Sequence, residues 1–358
     1  MRESRLRNSF QADRMTTTQQ KTARLREIIE AFPRVTVTVL GDLVADEFVF
    51  GEIARVSREA PVLILKHRER TVVPGGGANA VNNLADLGVR VVPVGVTGDD
   101  TTGRMLAQYF QKKKISVAGM LRDKKYATVT KTRILAGMTH TSRQQVVRVD
   151  REPEHGPSAE ILKKLVKAAQ RALAQSDALL ISDYGYGSAT PDILQAVRKG
   201  RGGRLVPVVL DSRYRLLEYQ GVTAATPNEP EVEQALGVGI GQDWKKLVSS
   251  GTKVMSRMKL ESLLITRGRD GMAAFERGRK PVDIPIVGSD EVADVTGAGD
   301  TVIAVFTAAL AAGADTLEAA LLANYAGGIV VMKRGTATVS RAELLQALEQ
   351  TPPVTRPH

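Results

Sequence analysis

The sequence predicts an α/β fold in which a parallel sheet is covered by helices on both faces. From Ser158 onward, helical segments alternate with short apolar strands, the pattern that successive β-α-β units produce. Polar residues recur where these strands end. No apolar run approaches the length of about 18 residues that suggests a membrane-spanning helix. We therefore expect a cytoplasmic protein that does not enter a membrane.

The composition narrows the possible chemistry. The chain of 358 residues is 43% hydrophobic, which is ample for a packed core, and it contains no cysteine. Disulfides, thiol nucleophiles and thiolate metal sites are thereby excluded, and the four histidines lack metal-ligand spacing. The net charge of +11 suits an enzyme with anionic substrates.

About half of the excess positive charge lies in residues 1–26. This segment lacks the apolar core of a secretory signal, and it fits a nucleic-acid arm, a mobile tail or a stretch that precedes a start at Met15. We expect residues 1–33 to form a partly disordered basic arm with a leading helix, and we do not expect a nucleic-acid partner. Residues 34–350 are predicted to form one domain, and residues 351–358 a tail.

The first predicted strand, residues 35–40, is β-branched and apolar. Asp46 follows beyond its carboxyl end, where open α/β sheets bind ligands. Residues 48–51 and 62–66 have the character of short extended pieces separated by a polar stretch. We interpret them as strands of a small flap that stands off the main sheet.

A glycine-rich run, residues 74–79, precedes a helix predicted over residues 80–87. Its glycines allow a ligand to approach the backbone closely, and Asn79 can donate to and accept from hydroxyls. A flexible helix entry is the alternative. The run lacks the G-x-G-x-x-G spacing of a dinucleotide-binding fold, and no P-loop sequence is present.

A strand at 91–95 and a helix at 101–114 lead to two strands that we expect to pair, at 127–135 and 145–149. Lys131 and Arg133 alternate and so share one face of the first, while Arg148 lies on the second. These cations can grip a phosphate on a substrate, although exposed strand faces often carry such charges.

The remaining elements follow the alternating pattern. Strands are predicted at 178–182, 206–210 and 262–266, with a further strand after residue 271, and helices at 159–174, 191–199, 244–259, 302–312 and 317–332, with two more opening at 228–231 and 340–343. Asp183 ends the first of these strands, so we expect it among the substrate-binding residues. Asn228 and Glu231 can face one side of a helix start and hold a hydrated Mg²⁺, or they simply cap that helix.

The stretch from Asp294 to Thr301 carries the strongest chemical prediction. Gly297, Ala298 and Gly299 leave amide groups uncovered at a helix start, which favours a phosphate or a developing anion. A carboxylate beside such a cradle repels a resting phosphate, so Asp300 is better suited to act as a general base for an attacking hydroxyl. A glycine turn capped by an aspartate is the alternative.

Three motifs, in this order, resemble the ribokinase-like (phosphofructokinase-B) family of carbohydrate kinases. They are Gly-Gly-Gly-Ala-Asn at 75–79, Asn-Glu-Pro-Glu at 228–231 and Asp-Val-Thr-Gly-Ala-Gly-Asp-Thr at 294–301. The resemblance extends over roughly residues 35–349. It implies a Rossmann-like α/β/α sandwich with a small β-sheet lid, drawn here from about 47–73 and 126–150, and a homodimer formed through the lid.

The resemblance also implies roles. Asp300 would be the base, and Gly297, Ala298 and Gly299 the anion hole. The sugar would be contacted by Asp46, Gly75, Gly76 and Asn79, and the nucleotide, ATP, would be surrounded by Asn228, Glu231, Thr266, Gly268, Gly271 and Asn324. Asn228 and Glu231 would organise Mg²⁺ through water. Arg267 makes the nucleotide region more basic than the family pattern, which leaves its contacts open.

A narrower resemblance concerns the D-glycero-D-manno-heptose 7-phosphate kinases. It rests on residues 41–46, 57–62, 131–133, 144–150 and 182–184. It implies phosphorylation of heptose 7-phosphate to the 1,7-bisphosphate, a precursor of ADP-heptose and lipopolysaccharide, with Lys131, Arg133 and Arg148 as phosphate contacts. A kinase of another sugar or of a nucleoside is the first alternative, and a non-catalytic nucleotide- or nucleic-acid-binding protein the second.

Overall fold

Two sheets and the helices around them organise the chain in the computed structural model, which describes residues 19–137, 144–199, 206–288 and 294–356. The strands are β1 (Thr36–Gly41), β2 (Leu43–Val56), β3 (Leu63–Gly76), β4 (Arg90–Gly98), β5 (Met120–Asp123), β6 (Thr130–Gly137), β7 (Gln144–Arg151), β8 (Ala178–Asp183), β9 (Val208–Ser212), β10 (Ala224–Ala225), β11 (Ser262–Thr266), β12 (Met272–Glu276) and β13 (Val282–Ile284). The helices are α1 (19–31), α2 (Gly77–Asp86), α3 (Thr101–Lys112), α4 (Ala159–Leu173), α5 (Pro191–Lys199), α6 (Glu229–Leu236), α7 (Trp244–Met258), α8 (Ala298–Ala311), α9 (Thr316–Val331) and α10 (Arg341–Gln350).

The main sheet has nine strands in the order β13-β12-β11-β10-β9-β8-β1-β4-β5. Successive side chains of a strand point to opposite faces, so Val37 and Val39 join the apolar core on one side and Leu40 joins the core on the other. Helices α1, α2, α3, α8, α9 and α10 cover the first side, and α4 to α7 cover the second. The predicted α/β/α sandwich is confirmed.

The main sheet is parallel, as predicted, except at one edge. Strands β12 and β13 run antiparallel to their neighbours. The five-residue link between β11 and β12 explains the difference, because so short a turn reverses the chain, whereas a parallel neighbour needs a crossover of a dozen residues or more. Gly268 and Gly271 make this turn with positive φ angles of 54° and 89°.

The lid is a four-stranded sheet in the order β3-β2-β6-β7. The short extended pieces predicted at 48–51 and 62–66 are parts of two 14-residue strands, β2 and β3. Polar residues do not interrupt these strands because opposite charges pair across them, Arg68 with Glu52 and Arg70 with Glu47. Asp46 lies beyond the carboxyl end of β1, as predicted, and it is also part of lid strand β2.

The amino-terminal arm is described only in part, because residues 1–18 lie outside the described residues. Helix α1 buries Leu25, Ile28 and Ile29 against the core, so residues 19–31 belong structurally to the sandwich. Among the residues that the structure describes, no helix is both long and apolar enough to cross a membrane.

Candidate active site

Asp300 is the buried centre of a site at the carboxyl edge of the main sheet. It occupies the first turn of α8 and is only 3% exposed. Its Oδ1 accepts a hydrogen bond of 2.8 Å from the Tyr184 hydroxyl, and its Oδ2 accepts one of 3.0 Å from Asn79 Nδ2. Burial raises the pKa of Asp300 to about 7, although both hydrogen bonds oppose that rise. A carboxyl group with this pKa can accept a proton near neutral pH.

The turn before Asp300 has a backbone that only glycine tolerates well. Gly297 has a φ of 80°, and a Cβ there would lie 2.6 Å from Asn79 Nδ2. The Asp294 carboxylate fixes the turn, since it accepts hydrogen bonds from Thr296 N at 2.9 Å and from Gly335 N at 3.0 Å. Beside Gly299 there is open space. The Ala298 amide already donates to Val295 O at 3.2 Å, whereas the open space beside Gly299 gives an anion room to approach the start of α8.

Asn79 is tied to the base rather than standing free for a sugar. Besides donating to Asp300, its side chain accepts a hydrogen bond of 3.2 Å from Asn83 Nδ2, and Asn83 in turn accepts one of 3.0 Å from the Thr301 hydroxyl. This buried network links α2 to the first turn of α8. Asn79 thus orients Asp300, and its predicted sugar contact stays a prediction.

Asp46 and Arg133, two of the predicted substrate-binding residues, are bonded to each other. Arg133 Nη1 donates to Asp46 Oδ1 at 2.6 Å, and the Thr336 hydroxyl donates to Oδ2 at 2.9 Å. The backbone of Gly75 lies directly against this carboxylate, because a Cβ there would be 2.7 Å from Oδ2. Thr336 belongs to none of the motifs identified in the sequence, and it reaches the site only through the fold of the chain.

Lys131 belongs to lid strand β6 and lies near Asp300. Its Nζ lies 5.3 Å from the centre of the Tyr184 ring. The same ring also packs against the backbone of Gly76. Burial, reinforced by the positive charge of Arg148, lowers the pKa of Lys131. Arg148 itself donates to Asp150 at 2.7 Å on the exposed strand β7. Of the three predicted cations, Lys131 is the one placed beside the base.

Asp183, whose contact with the substrate stays a prediction, is surrounded by hydrogen-bond donors of the protein itself. Asp183 is 2% exposed, and its oxygens accept hydrogen bonds from Arg215, Ser212, Tyr219 and the amide of Gly185. These groups come from segments that follow Asp183 by up to 36 residues. Its carboxylate holds the loops after β8 and β9 together, a structural role that its position at a strand end did not reveal.

Four of the six residues predicted for the nucleotide, all except Asn228 and Glu231, line one cavity. A space of about 190 Å³ is lined by Thr266, Gly268, Gly271, Ala298, Gly299 and Asn324. Its remaining wall is mostly apolar and includes Val302 and Val331. Arg267 does not enter it, since its guanidinium points into the protein and donates to Glu229 at 3.2 Å. The cavity joins the predicted anion hole directly.

Asn228 and Glu231 form a capping box at the start of α6. The Glu231 amide donates to Asn228 Oδ1 at 2.8 Å, and the Asn228 amide donates to Glu231 Oε2 at 2.9 Å. Asp211, at the end of β9, faces Glu231. Burial and, next, the Glu231 charge raise the pKa of Asp211 well above its usual range, and burial raises the pKa of Glu231. No described residues form a cluster of three or more potential metal ligands.

These oxygen donors nevertheless fit a hydrated Mg²⁺. The negative charge that Glu231 places beside Asp211 would be stabilised by a hard divalent cation, which binds oxygen ligands and retains much of its water. Asp211 was not among the residues selected from the sequence, because nothing local to it indicates that Glu231 lies opposite.

Comparisons with known proteins show the family to which the chain belongs. Residues 43–343 match the model of the pfkB family carbohydrate kinases. The bifunctional protein HldE of Pelobacter propionicus is 39% identical over 311 residues, which are 87% of this chain and 62% of that protein. The HldE protein of Geobacter metallireducens is 40% identical over 315 residues, 88% of this chain and 63% of that protein. The chain thus spans less than two thirds of these curated relatives.

Solved structures support the fold. A ribokinase from Arabidopsis thaliana, complexed with ribose and ATP, matches with a TM-score of 0.65 at 20% identity, over 88% of this chain and 99% of that one. Phosphofructokinase-2 from Escherichia coli, in complex with potassium, matches with a TM-score of 0.70 at 16% identity, again over 88% and 99%. Motifs, fold and family model agree, and the chain belongs to the pfkB family of carbohydrate kinases.

Proposed function

We propose that this kinase transfers the γ-phosphoryl group of ATP to a hydroxyl of a sugar phosphate, with D-glycero-D-manno-heptose 7-phosphate as the acceptor and the 1,7-bisphosphate as the product. The observation that carries the proposal is the position of Asp300. Its carboxylate, with a pKa near neutrality, lies at the start of α8, where an anion has room to approach, and next to the cavity lined by four of the predicted nucleotide residues. A kinase that consumes ATP would work in the cytoplasm.

The chemistry follows from this arrangement. The acceptor hydroxyl donates its hydrogen to Asp300, its oxygen bonds to the γ-phosphorus, and the bond from that phosphorus to the β–γ bridging oxygen breaks. The proton remains on Asp300, while the amides of Gly297 to Gly299 stabilise the charge on the transferred group. Bound near Asn228, Glu231 and Asp211, Mg²⁺ would neutralise charge on the ATP phosphates.

A phosphorylated acceptor is supported by the charges around the base. Lys131 forms no ion pair within 4 Å among the described residues, whereas Arg133 is paired with Asp46 and Arg148 with Asp150. The phosphate of an acceptor could therefore bind Lys131 directly. Arg133 and Arg148 could bind it as well, but each would share its charge with the aspartate to which it is paired. The heptose 7-phosphate assignment itself rests on the motif resemblance, particularly residues 131–133, 144–150 and 182–184.

The lid also supports the proposed homodimer. Strand β7 is an edge of the lid sheet and is exposed along its whole length. Val146, Val147 and Val149 are 49%, 45% and 54% exposed on it. An edge strand that exposes three valines favours pairing with another strand, such as that of a second copy.

A substrate screen tests the function. Sugars and sugar phosphates, heptose 7-phosphate first, are incubated with the protein, ATP and Mg²⁺, and ADP formation is measured. We expect turnover with heptose 7-phosphate and a 1,7-bisphosphate product identifiable by phosphorus NMR. Turnover with unphosphorylated sugars or nucleosides alone would overturn the acceptor assignment, and ADP formation with none of the acceptors would overturn the function.

Replacing Lys131 by alanine tests the phosphate contact. A charge-assisted hydrogen bond contributes about 1.5–3 kcal/mol, so the KM for the sugar phosphate should rise about 10- to 100-fold. Lys163→Ala, which removes an equal charge from the exposed face of α4, serves as the control and should leave KM unchanged. An unchanged KM in Lys131→Ala would remove this lysine from phosphate binding.

The pH dependence of kcat/KM should report Asp300 in the free enzyme. Since burial raises the pKa of this carboxyl to about 7, it is protonated and inactive as a base below that pH and ionised above it. We expect kcat/KM to level off above pH 8 and to fall about tenfold for each pH unit well below 7. An acid limb centred near pH 4 would contradict the assignment.

A further inference from the structure

We propose that Tyr184 is a positioning residue of this kinase, whose hydroxyl holds the Asp300 carboxylate in place and in its ionised form. The proposal rests on the proposed function, in which Asp300 is the base. Tyr184 stands directly after β8, and its hydroxyl donates to Asp300 Oδ1 at 2.8 Å. The sequence motif at 182–184 drew attention to this residue, but the assigned roles did not include it.

A rigid support delivers the Tyr184 hydroxyl to the base. The buried carboxylate of Asp42 accepts hydrogen bonds from the amides of Tyr184 and Tyr186 at 2.9 Å and from that of Ser188 at 2.8 Å. The ring packs against the backbone of Gly76, where a Cβ would be 3.3 Å from ring atoms. Three bonds to one carboxylate fix the loop, so the hydroxyl is held where Asp300 needs a donor.

The groups around Asp300 show why this donor matters. Asn79 on α2 and Tyr184 are the described side chains that donate to the carboxylate. Lys131 on β6 favours its ionised form, whereas Asp46 on β2 and Asp211 on β9 disfavour it. Glu231 on α6 adds negative charge near the Tyr184 hydroxyl. Because three neighbouring carboxyl groups add negative charge to this buried site, each direct hydrogen-bond donor helps to keep Asp300 ionised.

The arrangement still leaves room for the acceptor. Each carboxylate oxygen has two lone-pair positions, and Tyr184 and Asn79 each occupy one on a different oxygen. The acceptor hydroxyl can therefore donate to Asp300 while both protein donors stay in place. Tyr184 also forms the surface over which the Lys131 ammonium lies, so one ring contacts both the lid and the base.

Tyr184→Phe tests the proposal, because it removes the donor and keeps the ring. The protein is labelled with carbon-13 at aspartate carboxyls, and the Asp300 resonance is identified as the one missing from Asp300→Asn. We expect its titration midpoint to rise by roughly one pH unit, the effect of one hydrogen bond to a charged group. The acid limb of kcat/KM should move equally, with roughly a fivefold loss at pH 7 that recovers at pH 9.

Tyr186→Phe is the matched control. It removes a neighbouring tyrosine hydroxyl, which donates to Glu152 at 2.6 Å and not to Asp300. This variant should show neither the shifted titration nor the shifted limb. A loss of activity in Tyr184→Phe that is equal at every pH, or an unmoved Asp300 titration, would overturn the proposal.

Failure of this inference can be told apart from failure of the proposed function. The carbon-13 titration needs neither ATP nor a sugar, so it reports on Tyr184 whatever the acceptor is. If Asp300→Asn turns over normally, the assignment of the base is wrong and the positioning role falls with it. If Asp300→Asn is inactive while Tyr184→Phe leaves the titration unchanged, only the role of Tyr184 is wrong.

Discussion

Replacing Asp300 by asparagine should reduce kcat by about 10²- to 10⁴-fold while ATP binding is preserved. The amide keeps the shape of the carboxylate, and its oxygen can still accept a hydrogen bond from Tyr184 or Asn79. It cannot accept the proton of the acceptor hydroxyl. The cavity lined by Thr266, Gly268 and Asn324 is not altered, so the Kd for ATP should stay within a few-fold of the original.

The measurement combines steady-state turnover with a direct ATP titration by calorimetry. Asp192→Asn provides a matched control, because Asp192 also lies in the first turn of a helix, α5, but is exposed. It should behave like the unmodified protein in both experiments. Near-normal turnover by Asp300→Asn would remove Asp300 from the role of base.

Replacing Asp183 by alanine should mainly destabilise the protein. The variant leaves the Arg215 guanidinium, the Ser212 and Tyr219 hydroxyls and the Gly185 amide without their shared acceptor. Losing one partner of a buried charge pair costs about 3–5 kcal/mol, and we expect a loss of about 3 kcal/mol because Arg215 keeps some contact with water. Denaturant unfolding, monitored by circular dichroism, measures the change.

Tyr219→Phe gives a graded comparison, because it removes one donor to the same carboxylate. Its free energy of unfolding should fall by about 1 kcal/mol. If Asp183 were a sugar ligand, its alanine variant would instead unfold normally and show a raised KM. That outcome would restore the role predicted from the sequence.

Local sequence patterns were sufficient to predict many of the helices and strands. The strand at Ser262–Thr266 has the predicted bounds, and α7 differs from its prediction by one residue. The capping box at Ser340 and Glu343 is formed as predicted, with the Glu343 amide bonded to the Ser340 hydroxyl. Each of these features depends on residues that are neighbours in the chain, so each can be recognised without the tertiary structure.

The contacts that define the site join residues far apart in the chain. Asn79 and Asp300 are separated by 221 positions, and Asp46 and Thr336 by 290. Motif spacing can nominate Asn79 and Asp300, but it cannot show that they bond to each other. The contacts of Asp183 were hidden from the sequence for the same reason, since Arg215, which donates to its carboxylate, follows 32 residues later.

The lengths of lid strands β2 and β3 were underestimated, because their residues do not follow the sequence pattern of an ordinary strand. A half-buried strand is expected to alternate apolar and polar residues, but the outer parts of β2 and β3 expose both faces and are stabilised by charge pairs such as Arg68 with Glu52. β5 was not predicted, because its four residues, Met120–Asp123, are too few to show the alternating pattern of a strand.

The junction between β1 and β2 has a mechanical consequence. Asp42 alone separates a central strand of the sandwich from a lid strand, and residues 43–47 of β2 are still buried. The outer part, residues 48–56, extends about 30 Å beyond them. If this outer part tilted by about 10° about the residues next to Asp46, its tip would move by roughly 5 Å. A small tilt at the base of β2 would therefore become a much larger displacement at the rim of the lid.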